Sequence, residues 1–149
     1  MLQNLIESGR EAQRTGAWDE ALAHYESALA LLADGSDPKK HADLLRWIGT
    51  VATQRGTLDE AQRRFQRSLE VAATAGLTET EGSALVALAS VELLRGNLDG
   101  AADLYLRARD AAEGIDNERL VAMIDTNLGV IANIQGNVAV ALLSYRSSL

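Results

Sequence analysis

Small, aromatic and aliphatic positions recur along the chain at a helical spacing nested in a longer period. Gly16, Gly56, Gly96 and Gly136 stand 40 residues apart, and each opens a similar amphipathic stretch. An alanine follows five residues after each glycine (Ala21, Ala61, Ala101, Ala141) and an aromatic nine after (Tyr25, Phe65, Tyr105, Tyr145). A small residue follows twelve after (Ala28, Ser68, Ala108, Ser148). Those offsets fall on one face of a helix. Seven residues before each glycine lies another small residue, Gly9, Gly49, Ala89 or Gly129, where a first helix would touch the second. The small positions let helices approach closely and the aromatic fills the space between successive pairs.

The pattern predicts an all-α chain of about four helical hairpins. The first pair runs from about Leu2 to Thr15 and Trp18 to Ala33. Asp34-Gly35-Ser36-Asp37-Pro38 then stops the helix, with Asp37 placed to cap and Pro38 at a first helical position. The second pair spans about Lys39 to Arg55 and Leu58 to Ala75, closed by Gly76. Thr78 and Glu81 read as a capping box for a helix reaching about Arg95, and Leu98 to Glu113 follows, closed by Gly114. The fourth pair is expected from about Asn117 to Gln135 and from Val138 onward. That last helix is short. Leu142, Leu143, Tyr145 and Leu149 would be left partly uncovered, so the reading expects a piece of a longer array or self-association through this end.

These offsets resemble the tetratricopeptide repeat, across nearly the whole chain. The common repeat is ~34 residues, whereas this one is 40, similar to the longer-helix subclass of kinesin light chains, mitotic adaptors and bacterial signalling regulators. HEAT and armadillo arrays have similar periods, but the alanine, aromatic and small-residue offsets disfavour them. The resemblance implies a single array, a right-handed α-solenoid with repeats at about 1–38, 39–77, 78–116 and 117–149, the last truncated.

Composition narrows the functional classes. With 47% hydrophobic residues, 4% aromatics and one proline in 149 residues, the chain has ample core for stacked helices. No apolar run reaches the ~18 residues of a membrane span, and the polar Met1–Arg10 segment has no signal-peptide core. A cytoplasmic setting is therefore expected. There are no cysteines. A net charge of −7, with basic residues scattered, argues against nucleic-acid and anionic-membrane partners. Arginine far outnumbers lysine (Lys39 and Lys40 only) and alanine is abundant, which suggests a GC-rich bacterial genome.

No catalytic constellation is present in the sequence, so an enzyme is not expected, nor a metal or other cofactor. His24 and His41 lack a metal-ligand partner at helical spacing. Asp19-Glu20 and Asp59-Glu60 open second helices, where carboxylates complement the helix dipole. The glycines are too widely spaced for a phosphate loop.

What remains is a surface. By the family's register, the first helix of each pair lines a concave groove. That register gives Gln3, Ile6, Arg10 and Gln13 from pair one, and Asp43, Arg46, Thr50 and Thr53 from pair two. Pairs three and four give Ser83, Val86, Ser90 and Leu93, and Met123, Thr126, Val130 and Asn133. The resemblance thus implies a non-catalytic protein-interaction module. A peptide would set an acidic group toward Arg10 and Arg46 and apolar side chains toward Val86, Leu93, Met123 and Val130. Asn127 matches a position where the long-repeat subclass carries a backbone-binding asparagine, and Trp47 stands there in pair two as a stacking anchor or a seal between pairs. The carboxylate-clamp set of chaperone co-adaptors is absent, since Ile6 and Trp47 occupy places where lysine or asparagine would stand. The alternative is a regulatory sensor segment of a larger bacterial transcription or signalling protein.

Overall fold

The structure is a computed structural model that describes residues 1–32 and 36–148, without the side chains at 139–141 and 144–148. Among the described residues it holds seven helices and no strand: α1 (Leu2–Arg14), α2 (Trp18–Leu31), α3 (Pro38–Arg55), α4 (Leu58–Thr74), α5 (Thr78–Leu94), α6 (Leu98–Gly114) and α7 (Glu118–Ser148). The helices pack as antiparallel pairs, α1 on α2, α3 on α4 and α5 on α6. Each second helix then packs on the next first helix, and α3 reaches α5 directly. This is an all-α helical-repeat solenoid. The predicted stop at Asp34-Gly35, and the end of α2 at Ala33, lie outside the described residues.

One turn is used again and again. Gly16, Gly56, Gly76 and Gly96 all have φ between +70° and +85°, and Asp116 takes the same left-handed place at φ 55°. In each case the next residue donates its N–H to a carbonyl five residues back: Ala17 to Ala12, Thr57 to Ala52, Leu77 to Ala72, Asn97 to Glu92 and Asn117 to Ala112. This is the Schellman closure, which satisfies carbonyls that a helix end leaves orphaned. It corrects two expectations. Leu77, not Thr78, stands before α5 and its side chain gives no cap, so the Thr78–Glu81 box does not form: the glycine turn fixes the boundary one residue early. Gly114 ends α6 as a helical residue, and Asp116 makes the reversal, as a short polar side chain can. The cap at Asp37 is formed, with its carboxylate accepting from the Lys40 N–H at 3.0 Å and Pro38 at the first helical position.

The core explains the small positions. A Cβ on Gly9 would lie 2.5 Å from the Tyr25 ring, and one on Gly49 would lie 2.5 Å from the Phe65 ring. Tyr25, Phe65 and Tyr105 are buried, each contributing about 2–3 kcal/mol of apolar transfer. Tyr25 also satisfies its hydroxyl by donating to Gln13 Oε1 at 2.9 Å. Ser68, inside a second helix, donates to the Ala42 carbonyl at 2.7 Å, so its small polar side chain is buried without cost to hydrogen bonding. Two apolar clusters, one around Tyr25, Leu44 and Ile48 and one from Ala52 to Ile131, run end to end along the solenoid.

A polar clasp fixes the stagger between pairs. Asp19 pairs with Arg55 at 3.2 Å, Asp59 with Arg95 at 2.5 Å, and Asp99 accepts from Gln135 at 2.9 Å. The two members always stand 36 residues apart.

The fourth turn departs from expectation. α7 runs through Gly136 as one continuous 31-residue helix, so the fourth pair is not a hairpin. Three local facts account for this. A Cβ on Gly129 would meet no heavy atom of the described residues within 4 Å, so the close ring contact made at Gly9 and Gly49 is not repeated among them. The acid that opens the earlier second helices (Asp19, Asp59, Asp99) is replaced by Ala139. A lone glycine inside a helix costs only about 1 kcal/mol, less than forfeiting the helix hydrogen bonds around it. Leu142 and Leu143 are exposed, as expected, while the side chains of Ala141, Tyr145, Ser148 and Leu149 lie outside the described residues.

Candidate interaction face

The first helices of the pairs, α1, α3, α5 and the N-terminal part of α7, carry the residues expected to line a groove. Their exposure differs along the array. Gln3 and Arg10 are exposed and Gln13 is half-buried, but Ile6 is 2% exposed and packs in the first cluster with Leu44 and Ile48. Ile6 is therefore core rather than lining. Asp43, Arg46, Trp47, Thr50 and Thr53 on α3 are half-buried, as are Ser83, Val86, Ser90 and Leu93 on α5. On α7, Met123, Thr126, Val130 and Asn133 are exposed and Asn127 is half-buried.

The structure joins some of these residues and separates others. Trp47 lies across the junction of pairs one and two, its ring 5.9 Å from that of Tyr25 at a 41° tilt. The Arg10 guanidinium sits 4.9 Å from the Trp47 ring centre, a cation–π contact. Arg10 and Arg46 have separate partners, Trp47 and Asp43. Asp43 is held between Lys39 Nζ at 2.7 Å and Arg46 at 3.3 Å, and Arg46 Nε is buried with no hydrogen-bond partner among the described residues. Gln13 is similarly engaged, accepting from Tyr25 and donating to Gln54 at 3.0 Å.

Four hydroxyls on this face are spent on their own helices. Thr50 donates to the Arg46 carbonyl, Thr53 to Gly49, Ser90 to Val86 and Thr126 to Ala122, all at 2.9–3.1 Å. They offer only lone pairs to an incoming group. The side chains on this face that can donate outward are thus chiefly the Ser83 hydroxyl, the amides of Asn127 and Asn133 and the basic groups.

A cleft of about 790 Å³ opens where the N-terminal ends of α3, α5 and α7 converge. One wall is Lys39, Asp43 and Arg46; the others are Thr78, Glu79 and Ser83, and Asp116, Asn117 and Glu118. Sequence reasoning supplied Asp43, Arg46 and Ser83 but missed Lys39 and the acidic rim. Lys39 carried a signal, because it stands one helical turn before Asp43.

Elsewhere the charges serve the scaffold. The guanidinium groups of Arg64 and Arg63 hold the Glu60 carboxyl below its ordinary range, and Arg64 also reaches Glu26 of the preceding pair. Burial pushes the Tyr25 phenol up, with Arg10 opposing it. No group of three or more His, Cys, Asp or Glu side chains among the described residues could hold a metal ion. No helix of the described residues is long and apolar enough to cross a membrane.

Comparison with known proteins agrees with this geometry. No curated protein matches the sequence. BtubC (BKLC) from P. vanneervenii superposes with a TM-score of 0.75 at 22% identity, over 85% of this chain and 52% of that one. PcrH from Pseudomonas aeruginosa gives 0.70 at 23%, over 88% and 91%, and has also been solved in complex with the chaperone binding region of PopB. The Rap conjugation gene regulator of plasmid pLS20, in complex with the Phr* peptide, gives 0.78 at 16%, over 96% of this chain and 40% of that one. The chain thus spans about half the length of BtubC and two-fifths of the Rap regulator. The tetratricopeptide repeat model matches residues 40–114, half of the sequence and the part where the Gly49–Phe65 seat and the Asp59–Arg95 clasp are built, so this chain belongs to the tetratricopeptide repeat family.

Proposed function

We propose that the chain is a non-catalytic interaction module whose inner face, formed by α1, α3, α5 and α7, takes an extended segment of another protein. The observation that carries this reading is the change of character along that face. α1 and α3 present Arg10, Gln13, Lys39, Arg46, Trp47 and Thr50, and α5 and the N-terminal part of α7 present Val86, Ser90, Leu93, Met123, Asn127 and Asn133. A segment with an acidic group at one end and apolar side chains at the other complements both halves. Asp43 already occupies the Lys39–Arg46 corner, so an incoming carboxylate would compete with it for charge-assisted hydrogen bonds. The array is built before binding, so the ordering entropy falls chiefly on the flexible partner.

Relatives of the fold support a protein partner. PcrH is solved with a region of PopB and the Rap regulator with the Phr* peptide. The Rap likeness also favours a second reading, in which the chain is the sensor segment of a larger bacterial transcription or signalling protein working in the cytoplasm. Self-association through the exposed apolar part of α7 is a further element of the proposal.

The test is a binding isotherm against peptides that combine an acidic end with apolar side chains, using the chain, Arg46→Glu and Arg46→Gln. The expected result is a loss of at least tenfold in affinity for Arg46→Glu, with a smaller loss for Arg46→Gln, at an unchanged circular-dichroism melt. Equal affinity for all three proteins would reject the charge assignment.

A further inference from the structure

α7 bears an apolar ridge that the stacked pairs leave uncovered. Val130, Ile134, Val138 and Leu142 follow at four-residue intervals and are 51, 42, 54 and 57% exposed. Residues so spaced form the inclined i±4 ridge by which helices interdigitate. The same helix turns Ile124 and Ile131 inward, where they are buried against α5 and α6, so the ridge is additional to the face that docks α7 on the array.

The ridge is its own complement. Its members are placed symmetrically about Gly136: Ile134 and Val138 stand two residues to either side, Val130 and Leu142 six. An antiparallel second copy in that register therefore sets every apolar member against another. The stretch from 126 to 145 contains no charged residue, although the whole chain carries −7, so two copies meet here without like-charge repulsion.

We propose that α7 is a homodimerisation element in which two copies cross antiparallel at the level of Gly136, with Ile134 beside Val138 of the second copy and Val130 beside its Leu142. This rests on the reading that α7 self-associates, and adds the face and the register. Interdigitating i±4 ridges cross at about −50°, which carries the two arrays away from each other at opposite ends of the helix pair. The interface is two-fold and closed, so it yields a dimer rather than a fibre.

Size sets its strength. Half-exposed side chains of this kind leave roughly 80–100 Å² each, so eight of them bring on the order of 700 Å², and flanking residues take the total toward about 1,000 Å². That is the low end of specific interfaces, so the dimer is reversible and concentration-dependent. The rival occupant is the end of α7 itself, folded back at Gly136 in the manner of the earlier pairs. Folding back would break the ridge, because Val138 and Leu142 would leave it. The seat for such a helix would be at Gly129, on another side of α7 from Ile134 and Val138.

Sedimentation equilibrium on the 149-residue chain, from about 1 to 500 μM, tests this with two variants. The mass should rise from 15.9 kDa toward twice that value across the series. Ile134→Glu with Val138→Glu, at exposed positions that leave the helical circular dichroism intact, should remain monomeric at every concentration. Gly129→Leu, off the ridge, should dimerise like the parent. A parent chain that stays monomeric to 500 μM would overturn both the self-association and the register. A dimer that survives the double substitution, or is lost with Gly129→Leu, would overturn the register alone and place association elsewhere.

Discussion

A missing side chain decides how tightly the paired helices meet. Gly9 and Gly49 lie against the rings of Tyr25 and Phe65 with no room for a methyl group, while the equivalent Ala89 is buried in the same cluster as Tyr105. Gly129 holds the same place in the fourth copy, and a Cβ there would meet none of the described residues within 4 Å. Alanine should therefore act in opposite senses at the two sites. Gly49→Ala should cost about 1–3 kcal/mol through overpacking, and Gly129→Ala should gain about 0.5–1 kcal/mol through helix propensity. Chemical denaturation of the two variants checks this, and a destabilised Gly129→Ala would mean that a ring occupies its seat after all. These small positions were legible in the sequence because a pairwise steric requirement repeats with the pair. Thr78 suggests a cap by its side-chain chemistry, but the backbone turn at Gly76 makes Leu77 the residue before α5 and leaves Thr78 already helical.

At the scale of elements, the boundaries were legible wherever a left-handed residue closes a helix, and the exception is instructive. Gly136-Asn137 repeats Gly96-Asn97, which does form a turn in which Asn97 caps through Gly100 N–H at 3.1 Å. The difference lies outside those two residues, in Ala139 where Asp99 stood and in the open space that the described residues leave at Gly129. Turn residues permit a reversal, and packing partners make it the lower state. Two alanine substitutions separate these roles. At Gly56, with φ 85°, alanine should destabilise by about 1 kcal/mol, because an L side chain is strained there. At Gly136, inside α7, it should stabilise by a similar amount and raise helical ellipticity. A destabilised Gly136→Ala would show that the chain turns there. The clasp from Asp19 to Arg55 and its two successors is exposed and individually weak, and its value lies in repeating one stagger.

The whole molecule was legible as a solenoid because a 40-residue period of packing residues has one economical solution, stacked pairs sharing a continuous core. The proposed inner face was only partly legible. Register alone puts Ile6 beside Arg46, Val86 and Thr126, yet Ile6 is buried against Leu44 and Ile48. Nor does register show that Thr50, Thr53, Ser90 and Thr126 have already committed their protons, or that Arg10 rests on Trp47. Those facts depend on which side chains happen to be neighbours, a property of three dimensions. They leave the Lys39–Asp43–Arg46 corner and the apolar row of α5 and α7 as the groups with most to gain from a partner.

Amide chemical-shift mapping measures this directly. Peptides selected from a random library on the full chain would be titrated into isotopically labelled protein. Selected peptides should pair an acidic residue with apolar ones, and the shifts should concentrate at Arg46, Val86, Ser90, Leu93 and Met123. Shifts centred on the outward faces of α2, α4 and α6, or selected peptides without an acidic residue, would contradict it.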